Sequence, residues 1–188
     1  WVQERRISFN PVNQAEIIDT FIDGILEKFH EKKERGSLDS NVKRHFLTEL
    51  AYAMHQSDKT SCSHHEIEKF ATDYFAKKVL PSPSGPFIEE LKRKGVLLDL
   101  GDEVAFKFDC FRAFFLSAKF NDSPTLLGGA RTVDGFVKLS EELDYFTGRH
   151  RDREQVLRKA MDLLDRAYKA ADLELPLSLF DAFSTNDS

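Results

Sequence analysis

Apolar side chains recur at three- and four-residue spacing along most of the chain, the pattern of amphipathic helices. The first such segment runs from Asn13 to about Lys33 and places these side chains on one predicted buried face: Ile17, Ile18, Phe21, Ile22, Ile25, Leu26 and Phe29. Gly36 and Ser37 end it. A second helix, from about Ser40, is predicted to bury Phe46, Leu47, Leu50, Ala51 and Met54.

A third and a fourth helix follow a polar loop from Gln56 to Ser61. Ser63 and Glu66 have the spacing of a capping box, which predicts the start of the third helix. Its inward side chains are predicted to be Ile67, Phe70, Ala71, Tyr74 and Phe75. Prolines at positions 81, 83 and 86 stop that helix, and Pro86 suits the first turn of a short fourth one. The fourth helix is predicted to end at Gly95, after burying Phe87, Ile88 and Leu91.

The periodicity then changes to that of strands. Val96 to Leu100 is an apolar run, and the next apolar residues alternate with Glu103, Ala105 and Lys107; they are Val104, Phe106 and Phe108. Gly101-Asp102 between the two runs predicts a tight hairpin turn with positive φ angles. Helical spacing returns at Phe111, Phe114, Phe115 and Ala118, which predicts a helix from about Asp109 to Phe120.

Three helices followed by a two-stranded wing are the order of a winged-helix domain. We therefore predict a mainly α fold, in which a winged-helix domain with a two-stranded β-hairpin is flanked by helical segments. The predicted divisions are a helical segment (1–40), a winged-helix domain with a trailing helix (41–120) and a C-terminal helical segment (130–188). The loop from Asn121 to Thr132 marks the boundary, because it contains Pro124 and Gly128-Gly129.

Two or three helices are predicted beyond that loop. One carries Phe136, Leu139, Leu143 and Phe146 on its apolar side. A longer one carries Val156, Leu157, Ala160, Met161, Leu164, Ala167 and Ala171. The apolar stretch from Leu177 to Phe183 is predicted to dock as a last helix.

Composition narrows the class of protein. The 188 residues are 41% hydrophobic and 31% charged, which suits a globular core. The net charge of -5 disfavours a surface made mainly for nucleic acid. The two cysteines lie far apart in sequence, so we expect a reducing cytoplasm and no disulfide framework. No apolar run approaches the roughly 20 residues needed to cross a bilayer, and we expect no membrane contact.

Candidate metal and catalytic residues are few. Cys62, His64 and His65 are residue types found in zinc sites, but adjacent histidines at a helix start point in different directions and a fourth ligand is missing. Cys62 also lacks a recognisable orienting carboxylate, and paired acids such as Glu89-Glu90 are better explained as solvated helix faces. No G-x-x-x-x-G-K-[ST] loop occurs. We therefore expect no catalytic residue, no metal, no cofactor-binding residue and no ATP hydrolysis by this chain alone.

Several stretches resemble the region that follows the nucleotide-binding domain in NACHT-type and related STAND signalling ATPases: NQAEIIDTFIDGILEK, FLTELAYAM and ELKRKGVLLDLGDEVAFKFDCFRAFFLSAKF. The stretch FVKLSEELDYFTGRHRDREQVLRKAMDLL is similar to the helical segment after the winged helix in bacterial STAND proteins, including antiviral sensors. Because the chain begins at Trp1 rather than Met, we expect a piece of a longer protein.

The resemblance implies a non-catalytic regulatory fragment that couples the nucleotide state to neighbouring sensor or effector domains in bacterial signalling and defence. It implies that partners are neighbouring domains of the same chain, with self-association a further expectation. ATP or ADP would be bound by the full-length protein, an ATPase, rather than by this fragment. In that family a histidine near the end of the wing contacts the β-phosphate of ADP, and Phe108 stands at the matching position. Phenylalanine cannot donate that hydrogen bond. Either nucleotide is sensed differently here, or the winged helix is a hinge that never contacts phosphate; we favour the hinge.

A different class of function, a winged-helix DNA-binding regulator with a helical dimerisation tail, stays open as the alternative. Lys92, Arg93 and Lys94 close the helix that would enter a major groove, and Lys107 lies on the wing. The same three cations also complement the negative end of the helix dipole, and Glu89 and Glu90 beside them would repel phosphate. The acidic total makes nucleic acid the weaker expectation.

Overall fold

The computed structural model describes residues 14–27, 38–80, 83–130 and 132–149, together with five helical positions: Arg158, Asp162, Asp165, Arg166 and Lys169. In this part of the chain the protein is mainly helical with one small antiparallel sheet. The helices are Gln14–Glu27 (α1), Ser40–Gln56 (α2), His64–Lys78 (α3), Ser84–Arg93 (α4), Asp109–Ala118 (α5), Pro124–Gly129 (α6), Val133–Lys138 (α7) and Ser140–Arg149 (α8). The strands are Ser61–Ser63 (β1), Leu97–Leu100 (β2) and Glu103–Phe106 (β3).

The sheet has three strands, where the sequence predicted two. The order is β1-β3-β2, and both pairs are antiparallel. The predicted hairpin of β2 and β3 is present, but β1 pairs with the other edge of β3 and places Cys62 opposite Val104. The sequence assigned the start of β1 to a polar loop, because three half-buried residues are too few to show an alternating pattern.

The hairpin turn has the predicted residues, but only Gly101 adopts a positive φ, of 62°, while Asp102 does not. Strand β3 ends at Phe106, two residues earlier than the apolar alternation suggested. The prediction that Phe108 continues the buried side of the strand was therefore wrong, since 49% of this residue is exposed.

The predicted buried faces of α2, α3 and α4 are largely confirmed. All five predicted side chains of α2 are buried, as are the three of α4, while Phe70 of α3 is only partly buried. The capping box exists: Ser63 Oγ accepts from the Glu66 N–H, and the Glu66 carboxylate accepts from the Ser63 N–H at 2.8 Å. Gly95 adopts a positive φ of 76° just after the end of α4, as a C-terminal stop requires.

Helix α1 buries only part of its predicted face. Ile22 and Leu26 are fully buried, whereas Ile17 and Phe21 are 43% and 45% exposed. Apolar residues cover too much of this helix for all of them to meet one core, and the sequence alone did not indicate which would stay outside. Phe29 lies outside the described residues.

The region after α5 differs from the predicted loop and single helix. A 3₁₀ turn spans Lys119–Asn121, and α6 begins at Pro124 with the Ser123 hydroxyl as its cap. The predicted helix from Phe136 to Phe146 is interrupted at Leu139, giving α7 and α8. The predicted helix over 156–171 falls on the described residues only at the five helical positions, and the stretch 177–183 lies outside them.

One hydrophobic core joins helices from before, within and after the predicted winged-helix segment. Helix α5 packs against both α2 and α8, and α1 packs on α8 and α2. Their side chains share a single buried cluster that includes Ile22, Phe46, Phe114 and Tyr145. Among the described helices, none has the length and apolar character needed to cross a membrane.

Candidate functional site

Large apolar side chains are exposed together where α1 meets the start of α5. The buried ring of Phe111 lies between two exposed rings, with centroids 5.1 Å from Phe108 and 6.0 Å from Phe21. Ile17 lies one helical turn before Phe21. We call Ile17, Phe21 and Phe108 the aromatic surface; each residue is between 43% and 49% exposed.

The backbone holds Phe108 in place at the junction of β3 and α5. Its φ of -134° and ψ of 140° are extended, and it forms the N-cap of α5 without a side-chain hydrogen bond. The Lys107 ammonium lies 5.6 Å from the centroid of its ring, a cation–π contact. Phe108 stands at the position where the family that the sequence resembles has a histidine. This protein therefore presents an apolar ring flanked by a cation at that position.

The four cations named for nucleic-acid binding have different surroundings. Lys92 forms ion pairs with Asp99 at 2.7 Å and Glu89 at 2.9 Å. Burial alone lowers the pKa of Lys92, but its hydrogen bonds to Asp99 and Glu89 outweigh that effect and raise the pKa. Arg93 is exposed, and Lys107 lies beside Phe108.

Lys94 is buried rather than available at a surface. Its ammonium donates to the backbone carbonyls of Leu26 at 2.8 Å and Ile25 at 3.3 Å, which lie in the last turn of α1. Burial, followed by the nearby charge of Lys43, lowers the pKa of Lys94. This lysine therefore anchors the end of α1 to the end of α4.

The exposed face of α4 carries little net charge. Its exposed residues are Pro86, Glu89 and Arg93. A helix that enters a DNA major groove needs donors and cations along that face. One cation and one carboxylate do not provide a basic surface.

A second buried lysine, Lys43, was not identified from the sequence. Its ammonium lies 2.5 Å from the Glu90 carboxylate, which is also 3.9 Å from the Lys94 ammonium. Lysine is rarely buried without such a partner. The partner lies 47 positions away in the sequence, so no local pattern could have indicated the contact.

A cluster of charges that we call the arginine clamp joins α1, α2, α5 and α8. Arg44 binds the carboxylates of Asp23 at 2.6 Å and Asp19 at 2.9 Å. The guanidinium of Arg149 lies 4.6 Å from the centroid of the Phe114 ring, and that of Arg44 lies 5.8 Å from it. Burial lowers the pKa of Arg149, and the charge of Arg44 adds to this while Asp19 and Asp23 oppose it.

Cys62 lines a cleft between α2 and α3 with mostly apolar neighbours: Leu50, Ala53, Met54, Ile67 and Phe70. Burial is the main cause that raises the pKa of the Cys62 thiol, so the reactive thiolate is disfavoured. His64 lies 3.6 Å from Asp99 instead of facing Cys62. Within the described residues, no group of three or more His, Cys, Asp or Glu side chains is arranged to hold a metal ion.

One family resembles part of the chain. The family described as Novel STAND NTPase 4 matches residues 60–116, which is less than a third of the chain. The match runs from the residue before β1 into α5 and includes the whole sheet. It associates this part of the protein with STAND-type NTPases. No curated protein and no solved structure matches the chain.

Proposed function

We propose that residues 40–118 form a winged-helix domain in the regulatory region of a STAND-type NTPase. The observation that carries this proposal is the pairing of β1 with the free edge of β3. Together with α2, α3, α4 and the hairpin, it gives a helix, a strand, two helices and two strands in the order of a winged helix. The match to a STAND NTPase family over residues 60–116 supports the association with a STAND-type NTPase.

The proposed action of the chain is mechanical. We infer that it couples the nucleotide state of a neighbouring domain to sensor or effector domains by moving as a rigid body. Support comes from the shared core of α1, α2, α5 and α8 and from the arginine clamp that joins the same four helices. A unit tied together on both sides of α5 transmits a rotation without deforming.

The aromatic surface is the proposed contact with the nucleotide-binding domain. Single exposed apolar residues are ordinary, but adjoining ones typically mark an interaction site. Phe108 belongs to this surface and stands at the family's phosphate-contacting position. We propose that it reports domain closure by packing, because its ring offers no hydrogen bond to phosphate.

Catalysis is assigned elsewhere in this proposal. The proposal takes no catalytic or metal-ligating group from the described part of the chain, and it places ATP or ADP in the nucleotide-binding domain of the full-length protein. The proposed partners are neighbouring domains of the same protein. The cytoplasm, as the setting, rests on the two widely spaced cysteines, and bacterial defence signalling rests on the resemblance.

DNA binding by the same fold is supported less well. Lys92 and Lys94, two of its four cations, are held in contacts inside the protein. The exposed face of α4 is close to neutral. The test is whether the chain binds duplex DNA at low salt. Binding that is lost in a Lys92→Ala, Arg93→Ala variant would favour this alternative over the regulatory role.

The first test is the gene itself. A P-loop encoded upstream of Trp1 is expected, and its absence from the complete gene product would overturn the regulatory proposal. The second test measures the release of a fluorescent ADP analogue from the full-length protein. Phe21→Ser and Phe108→Ser are expected to change that release several-fold by weakening the domain contact. Val137→Ser, which changes a 64% exposed side chain on α7, is the matched control and should have no effect.

A further inference from the structure

Two exposed patches each combine an apolar side chain with charged ones. The charges are negative in one patch and positive in the other. The first, which we call the hairpin tip, consists of Leu100, Asp102 and Glu103. Leu100 is 57% exposed at the end of β2, and Glu103 lies opposite it in the sheet register. Asp102 lies in the turn between them.

The carboxylates of the hairpin tip have no cation at ion-pair distance within the described part of the chain. Glu103 accepts a hydrogen bond from the neutral Ser61 hydroxyl. The neighbouring Asp99 is different, because Lys92 neutralises it at 2.7 Å. The tip therefore carries two negative charges beside an exposed leucine.

The second patch, the α3 corner, consists of Lys77, Lys78 and Val79. Both lysines are exposed in the last turn of α3, and in the region described neither has a carboxylate at ion-pair distance. Val79 is 86% exposed and adopts the left-handed conformation, with φ of 56° and ψ of 40°. This conformation costs a side chain such as valine roughly 1–2 kcal/mol and is usually given to glycine. The left-handed turn lets the Val79 N–H donate to the Ala76 carbonyl at 3.2 Å and the Leu80 N–H donate to the Phe75 carbonyl at 3.0 Å, which caps α3. The cap explains the backbone conformation but not a valine side chain, which stays exposed beside the two lysines.

The two patches cannot meet within one molecule. Glu103 of the hairpin tip pairs with Ser63, the N-cap of α3, whereas Val79 follows the other end of that helix. The 15 residues of α3 span roughly 22 Å. A contact between the patches therefore requires two copies of the chain.

We propose that the hairpin tip of one copy docks on the α3 corner of a second copy. Leu100 meets Val79, while Asp102 and Glu103 face Lys77 and Lys78. Because the two patches differ, the contact is head-to-tail. An assembly of such copies keeps an unoccupied hairpin tip at one end and an unoccupied α3 corner at the other, so further copies can be added. The contact is small and partly ionic, so it is weak and sensitive to salt. This inference goes beyond the proposed function and needs neither nucleotide nor a second domain.

The test is sedimentation velocity of the 188-residue chain across a concentration series at low and high salt. At low salt the mean mass should rise with concentration past that of a dimer, and high salt should reverse the rise. A tip variant, Asp102→Lys with Glu103→Lys, and a corner variant, Lys77→Glu with Lys78→Glu, should each associate at least about tenfold more weakly. Mixing the two variants should restore association, because each altered patch then meets one of opposite charge.

Val79→Gly separates an interface role from a folding role. It should raise the melting temperature by removing the left-handed strain, and yet weaken association. Val137→Ser again serves as the exposed control and should change neither quantity. A chain that stays monomeric at every concentration, or a mixture of charge-reversed variants that fails to associate, would overturn the proposal. Symmetric dimers that do not grow further would overturn it as well.

Discussion

His55 lies on α2 in a partly buried position near Arg112 of α5. Burial, followed by the charge of Arg112, lowers the pKa of the His55 imidazole below its usual value of 6.5. The folded chain therefore binds this proton more weakly than the unfolded chain does. As the pH falls through 6.5 toward the folded pKa, proton uptake by the unfolded chain lowers the free energy of unfolding.

The first prediction follows from the lowered pKa of His55. The variant His55→Gln should lose less stability than the wild-type chain when the pH is lowered from about 7.5 to about 5. Urea unfolding at both pH values measures the difference in midpoint. Gln56→Ala, at an exposed non-titrating side chain of the same helix, should keep the wild-type pH dependence. If the urea midpoint falls equally in His55→Gln and in the wild-type chain, His55 is not responsible for the loss of stability at low pH.

Single residues also mark where sequence reasoning fails. The sequence correctly indicated Ser63 with Glu66 and the stop at Gly95, because caps depend on neighbours a few positions away. It could not indicate that Lys94 would be buried, since its acceptors are 68 and 69 positions away. The same limit applies to the contact between the Phe21 and Phe111 rings, because these residues lie 90 positions apart.

Among the elements, α4 has its C-terminal boundary fixed by local chemistry. The Gly95 N–H donates to the Lys92 carbonyl at 2.8 Å, and the Val96 N–H donates to the Leu91 carbonyl at 3.1 Å. These bonds require the positive φ at Gly95. Strand β1 is the opposite case, because its existence depends on the edge of β3 and not on its own three residues.

The second prediction compares Gly95, just after α4, with Gly85 inside it. Gly95→Ala should lower the free energy of unfolding by about 1–2 kcal/mol, since alanine disfavours positive φ. An added Cβ would meet only Lys107 side-chain atoms at 3.6 and 3.8 Å, so the cost is conformational rather than steric. Gly85→Ala, inside α4 with its nearest neighbour atom at 4.0 Å, should instead stabilise the protein by up to about 1 kcal/mol. Urea unfolding of both variants checks the two signs, and a loss at Gly85 equal to that at Gly95 would contradict the explanation.

For the whole molecule, the main result is that α1 and α8 belong to the same packed unit as α2 and α5. Apolar periodicity predicted most of these helices, but it could not show that they share one core, because the contacts join segments more than a hundred residues apart. An example is the hydrogen bond of 3.2 Å from the Gln14 amide to the Tyr145 hydroxyl. Boundaries drawn from glycine and proline, such as the loop predicted from Asn121 to Thr132, mark changes of direction rather than the limits of the core.

The last prediction tests whether α1 moves with this unit. In Arg44→Gln, the carboxylates of Asp19 and Asp23 lose their ion pairs at 2.9 and 2.6 Å, so the variant should lose about 2 kcal/mol of stability. Amide exchange should also become faster throughout residues 14–27, measured by mass spectrometry. Lys69→Gln is the matched control, because its pair with Asp73 at 2.9 Å is solvent-exposed and worth less than about 0.5 kcal/mol. If α1 exchanges equally fast in both variants, the clamp does not hold it, and a rigid rotation of this region would have to leave α1 behind. If the amides of α1 lose protection from exchange only in Arg44→Gln, the clamp holds α1 to the rest of the unit. A force on the aromatic surface, which α1 shares with the start of α5, would then be transmitted to all four helices.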